Sequence, residues 1–123
     1  MKIKNADASK LLSIYSKMVN ASLEEGFFDM GYEVAVNAIS LEEGLKPFHK
    51  VREGAQKKLE GLKQGDSKLN EVLEKANKEI QVALEKEIEV KEFTKISKDF
   101  IVQNKIKLTG IEILALKEFK ILD

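Results

Sequence analysis

The chain has 123 residues, with Lys+Arg and Asp+Glu each numbering 21 and no cysteine. Balanced charge removes the positive field that draws a protein onto nucleic acid or anionic lipid, so nucleic acid is disfavoured as a partner. Zero cysteine excludes disulfides, thiolate nucleophiles and Cys-ligated zinc. A chain of this length buries about two thirds of its unfolded surface and needs no metal to fold, so residues 1–123 are expected to form a single domain.

Met1 to Lys4 alternates apolar and charged side chains, the period of a short strand. Asn5 then stands where a helix N-cap would, its side-chain oxygen ready to accept a free backbone N–H. Asp7 complements the helix dipole in the first turn. Ala8, Leu11, Leu12, Tyr15, Met18 and Val19 share one face, which predicts a helix from about Ala6 to about Asn20. The stretch Gly26 to Gly31, with Tyr32, then gathers Phe27, Phe28 and Met30 into the most aromatic patch of the chain. It reads either as a loop or helix start that plugs the end of the core or as an anchor for a partner. Phe27, Phe28 and Tyr32 are therefore candidate interaction residues.

Two apolar stripes at helical spacing follow. The first is Val34, Ala38, Leu41, Leu45, Phe48, Ala55, Leu59 and Leu62. The second is Leu69, Leu73, Ala76, Ile80 and Ala83, widened by Val72, Leu84 and Ile88. The breaker run Gln64-Gly65-Asp66-Ser67 separates them, and two such helices on a short turn make a long antiparallel hairpin. Gly44, Gly54 and Gly61 each cost about 1 kcal/mol inside a helix and Pro47 about 3, enough to split the first arm and let Pro47 open a second helix. Leu41, Leu45 and Phe48 nevertheless keep the apolar phase across the supposed break, so one helix kinked at Pro47 is expected. The glycines mark either close helix contacts or tolerated weak points.

The segment Val19 to Gly26 recurs as Val36 to Gly44 with one insertion, a short duplication or coincidence rather than a repeat fold. Each copy carries the capping-box pattern, Ser22 with Glu25 and Ser40 with Glu43. The apolar stripe runs through the second, which is discounted as a cap. Beyond Ile88 the pattern alternates, at Ile88–Val90 and again at Lys105-Ile106-Lys107-Leu108, which predicts two short strands with Ile3 beside them. Thr109 and Glu112 form a capping box for a last helix from Gly110 to about Phe119. Ile111, Leu114 and Ala115, with Phe119 as a further candidate, are expected to face inward. The fold class is thus mainly α: a long antiparallel helical hairpin and an N-terminal helix, with a small β element and a short C-terminal helix.

No residue set has the composition a reaction needs. His49 is the only histidine, which rules out metal sites needing two, and with Glu53 one turn later it reads as a surface pair. The carboxylate groups Glu24/Glu25, Glu42/Glu43 and Glu85/Glu87/Glu89 read as solvated faces beside lysines such as Lys46, Lys86 and Lys91. Gly-rich phosphate loops are absent, and acidic neighbours offset Lys57, Lys58 and the lysines from Lys91 to Lys120. A non-enzyme without catalytic, metal or cofactor residues is expected. The apolar stripes serve an internal core first and a partner helix or second copy second. Met1 to Asp7 has no long apolar run of the kind a signal peptide carries, and nothing approaches the roughly 18 apolar residues of a membrane span, so a cytoplasmic protein without membrane attachment is expected.

Met1-Lys2-Ile3-Lys4-Asn5 with Asp7, the stretch from Leu45-Lys46-Pro47-Phe48 through Arg52 to Leu59, and Leu108-Thr109 through Leu114-Ala115-Leu116 to Phe119 resemble small phage and prophage proteins of unknown function. The resemblance covers most of the chain except Ser22 to Met30 and carries no catalytic residues. It implies a phage-related setting in the host-cell cytoplasm. With the missing chemistry, the expectation is a protein that acts by binding another protein, as an assembly accessory or a homo-oligomer. The alternative is an inhibitor of a host defence or nucleic-acid enzyme that works through acidic faces such as Glu85, Glu87 and Glu89.

Overall fold

The computed structural model describes residues 1–62 and 67–122. In chain order its elements are β1 (Lys2–Lys4), α1 (Asn5–Val19), α2 (Phe28–Glu60), α3 (Leu69–Glu85), β2 (Glu87–Glu89), α4 (Lys98–Gln103) and α5 (Gly110–Glu118). The expected mainly α architecture is present: α2 packs against both α1 and α3, and β1 pairs with β2 in a two-stranded antiparallel sheet. Most of the breaker run, Gln64 to Asp66, lies outside the described residues, and Ser67 stands just before α3.

Helix α2 runs unbroken through Gly44 and Pro47. Val34, Leu41, Leu45 and Phe48 are all buried on one face. Each such side chain contributes about 1.5–3 kcal/mol, which together exceeds the local penalties for glycine and proline. The glycines divide between the two roles open to them. A Cβ at Gly44 would lie 2.9 Å from Ile88 Cδ1 and 3.2 Å from Val90 Cγ1, whereas one at Gly54 or Gly61 would meet nothing within 4 Å. Gly44 therefore lets β2 and the residue after it lie against the helix, while Gly54 and Gly61 are tolerated weak points.

Asn5, Asn37 and Asn104 are the buried polar side chains among the described residues, and each joins segments remote in sequence. Asn5 is not a cap; Lys4 holds that position without a side-chain bond. The Lys86 carbonyl accepts the Asn5 backbone N–H at 2.9 Å, so the side chain is free to donate from Nδ2 to the Ala83 carbonyl, also at 2.9 Å, tying the start of α1 to the end of α3. Asn37 uses both ends of its amide: Nδ2 donates to the Glu92 carbonyl at 3.0 Å, and Oδ1 accepts the Thr94 N–H at 3.0 Å. One turn later Ser40 Oγ accepts the Lys91 N–H at 2.8 Å, and one turn earlier Glu33 accepts the Thr94 hydroxyl at 3.3 Å. One flank of α2 thereby holds residues 91–94 by side chains at helical spacing. Asn104 closes α4 onto the loop after α1, accepting the Glu24 N–H at 2.6 Å and donating to the Phe100 carbonyl at 2.7 Å.

Several local expectations are corrected. Ser22 does not cap α2, whose N-cap is Phe27 with no side-chain bond. Lys105–Leu108 is not a strand. Helix α4 ends there in a turn with Lys105 at φ 54, its N–H bonded to the Val102 carbonyl at 3.2 Å, and the Ile106 N–H bonded to the Ile101 carbonyl at 3.0 Å. That is the Schellman closure, normally made with glycine in the left-handed position. Lysine in its place gives the sequence the look of an alternating strand. Helix α5 closes the same way through Lys120 at φ 58, with the Ile121 N–H on the Leu116 carbonyl at 2.8 Å.

The inward faces are also partly rephased. In α5, Ala115 and Leu116 are buried and Phe119 packs on the core, but Ile111 is 76% and Leu114 67% exposed. The closing turn sends Ile121 and Leu122 inward, and Ile96 bonds to the Ile121 carbonyl at 2.7 Å. This anchoring turns the Leu116 and Ile113 side of α5 toward the core. In α1, Ile14 is buried in place of the exposed Val19, and in α3 Leu73 is exposed while Ala76 and Ala83 are buried.

Candidate interaction surface

The aromatic patch is split by the start of α2. Phe27, just before the helix, is half-buried and meets Phe100 of α4 edge-on, with ring centroids 5.9 Å apart. It plugs the end of the core. Successive residues of a helix point about 100° apart, and Phe28, first in α2, is 75% exposed. Tyr32 is 61% and Ile39 54% exposed. At spacings of four and seven these three share one side of α2, roughly opposite Val34, Leu41 and Phe48. Beside them, exposed Val19 of α1 joins Leu12, Ala35 and Ile39 in lining a shallow groove between α1 and α2. The core-plug reading therefore holds for Phe27, while Phe28 and Tyr32 stand outward in solvent. Helix α2 has two apolar faces here, and only one is covered.

Sequence periodicity contained this second stripe, since Phe28, Tyr32 and Ile39 sit at helical spacing. It was hidden because α1 cannot be known to cover the other side until the fold is assembled. Ile39 and Val19 are the residues sequence reasoning left out of the surface.

Asp29, Glu42 and Glu43 flank the stripe, and none of them makes an ion pair among the described residues. Glu85, Glu87 and Glu89 are exposed at the end of α3 and along β2, but strand pairing brings cations to them. Lys4 bonds to Glu85 at 2.9 Å and faces Glu87 in the register, while the N-terminal ammonium lies 3.6 Å from Glu89, which faces Lys2. The same Glu85 bond, aided by its charge, raises the Lys4 pKa. These carboxylates are part of a mixed-charge edge rather than a free acidic face.

His49 and Glu53 lie with Arg52 and Gln56 on an exposed, polar side of α2. Among the described residues no group of three or more His, Asp or Glu side chains is placed to hold a metal ion, and no helix is long and apolar enough to cross a membrane. Tyr15 is fully buried against Phe93, with ring centroids 6.0 Å apart, and its hydroxyl has no hydrogen-bond partner among the described residues. Burial pushes its pKa upward, which keeps it a neutral core side chain. No protein-family model, curated protein or solved structure matches this chain.

Proposed function

We propose that this chain acts by binding protein rather than by catalysis, in a phage or prophage setting, as an assembly accessory or by joining copies of itself. The observation that carries the reading is the outward stripe of Phe28, Tyr32 and Ile39 on a helix whose opposite side already fills the core. Large aromatic side chains left in water on a rigid helix are the residues that dominate binding energy once desolvated by a partner. The resemblance of the chain's ends and of the Pro47 region to phage and prophage proteins supplies the setting.

A photocrosslinking residue in place of Tyr32 tests the contact in cells that make the protein, with Glu60 substituted in parallel as an exposed control. The expected result is a discrete adduct from position 32 that is absent from position 60, to a second copy or to another protein. Phe28→Asp in the same molecule should abolish the adduct and leave the circular dichroism and melting temperature unchanged. If light scattering gives a monomer at every concentration and position 32 yields no adduct beyond the control, the reading fails.

A further inference from the structure

A second surface lies on the arm formed by α2 and α3. Val51 of α2 and Val82 of α3, both exposed, form with Ala83 the floor of an open groove of about 460 Å³. Lys75, Lys78 and Lys86 line it. None of the three makes an ion pair among the described residues. Glu79, the one carboxylate in the lining, is already engaged by Lys58 at 3.3 Å. The groove is thus apolar along its floor and positive along its edge.

The outward face of α2 is largely complementary. Its ridge is Phe28, Tyr32 and Ile39, bordered by Asp29, Glu42 and Glu43, which make no ion pair among the described residues, with the exposed Lys46 two turns beyond Ile39 on the same side. The two surfaces also match in length. At 1.5 Å per residue, Phe28 to Ile39 and Lys75 to Lys86 each extend about 16 Å along a helix. Cations spread over that distance suit a helix with several carboxylates better than a ligand with one anionic head. A face-to-face pairing of two copies through the α2 stripe would instead leave the groove's lysines without carboxylate partners.

The geometry points to a head-to-tail contact between copies of this chain, in which the Phe28–Ile39 face of one copy seats in the lysine-edged groove of the next. It rests on the proposed role of the α2 face and names its occupant. Such a contact is heterologous: each copy has one of each surface, so the assembly grows into a chain or closes as a ring.

Two single variants decide the matter, each at an exposed position so that circular dichroism should match the parent. Tyr32→Asp disables the ridge and Val82→Asp disables the groove. Sedimentation velocity over a concentration series should show the unmodified protein growing in mass with concentration and shrinking with added salt. Each variant alone should associate at least about tenfold more weakly. Mixed together, they should form a one-to-one dimer and nothing larger, because one good ridge and one good groove remain in the mixture. Assembly that survives Val82→Asp but is lost with Tyr32→Asp would overturn the head-to-tail contact while leaving the α2 face as the binding surface. A mixture that stays monomeric, or an unmodified protein that is monomeric throughout, also overturns it, whatever other protein the α2 face captures.

Discussion

From Phe28 to Phe48, the inward half of α2 is packed: α1 covers one side, residues 91–94 are held along another, and Val34, Asn37, Leu41, Leu45 and Phe48 are buried. From His49 to Glu60 the single buried side chain is Ala55, and across the seam in α3 only Ala76 and Ala83 are buried. Of these three alanines, Ala83 alone belongs to the main core. One helix therefore spans a body specified by many remote contacts and an arm held by a narrow two-helix seam. Small residues let the arm's helices approach closely, with half-buried Leu59, Leu62, Leu69, Val72 and Ile80 around them, but they remove little apolar area from water. Rigidity belongs to the body. The outward ridge is mounted on it, while the lysine-edged groove lies on the seam where arm meets body.

The largest effect this contrast implies is in local opening. Amide hydrogen exchange should find residues 50–60 and 69–79 opening at a free energy at least about 2 kcal/mol below that of α1 and the Val34–Leu45 turns, which should exchange only with global unfolding. Equal protection in both halves would show that the seam is as strongly held as the body.

Next in size is Asn37→Leu. The replacement is near in volume, yet it leaves the Glu92 carbonyl and the Thr94 N–H without their partner. Two orphaned groups at about 1–3 kcal/mol each give an expected loss of about 2–6 kcal/mol in urea unfolding. A loss under about 1 kcal/mol would mean that the 91–94 segment does not depend on this side chain.

The glycines give a smaller contrast. Gly44→Ala, in the body, gains about 0.5–1 kcal/mol in helix propensity but places a methyl 2.9 Å from Ile88 Cδ1 and 3.2 Å from Val90 Cγ1, and the repacking this demands should offset that gain or exceed it. Gly54→Ala, in the arm, meets open space and should stabilise by about 0.5–1 kcal/mol through helix propensity alone. Thermal melts of the two variants, read against the parent, should place Gly44→Ala clearly below Gly54→Ala.

What the amino-acid order disclosed follows from the range of the forces involved. The hairpin, the continuity of α2 through Pro47 and the Thr109–Glu112 box are written in periodicity or in residues three apart, and all three are present. The three asparagine bridges span from 55 to 80 positions, and no local pattern marks them. Lys105 and Lys120 carry a conformation that glycine would have announced. The aromatic patch was legible as a patch but not as two parts, because the start of one helix turns adjacent Phe27 toward the core and Phe28 toward solvent. The groove partners Val51 and Val82 belong to different helices, so only the folded hairpin brings them together.

The smallest expected effect concerns how α5 is fastened to the body. Lys17 of α1 donates to Glu112 at 2.8 Å, and the Thr109 N–H donates to the same carboxylate at 2.9 Å. The Lys17 bond, followed by the Thr109 backbone bond, holds the Glu112 carboxyl below its ordinary value. A carboxyl lowered in the folded state stabilises the protein above its unfolded pKa of about 4.3, and that contribution disappears as pH falls through the lower folded value. Lys17→Met removes the larger cause and should destabilise at neutral pH by less than about 1 kcal/mol, because Lys17 is solvent-screened. Parent and variant should converge as the pH falls through the lowered Glu112 value and the carboxylate becomes protonated. Urea midpoints measured from neutral pH downward would then close on one another. Curves that stay parallel would show that the bond does not fasten α5, leaving that helix to the burial of Leu116, Ile121 and Leu122.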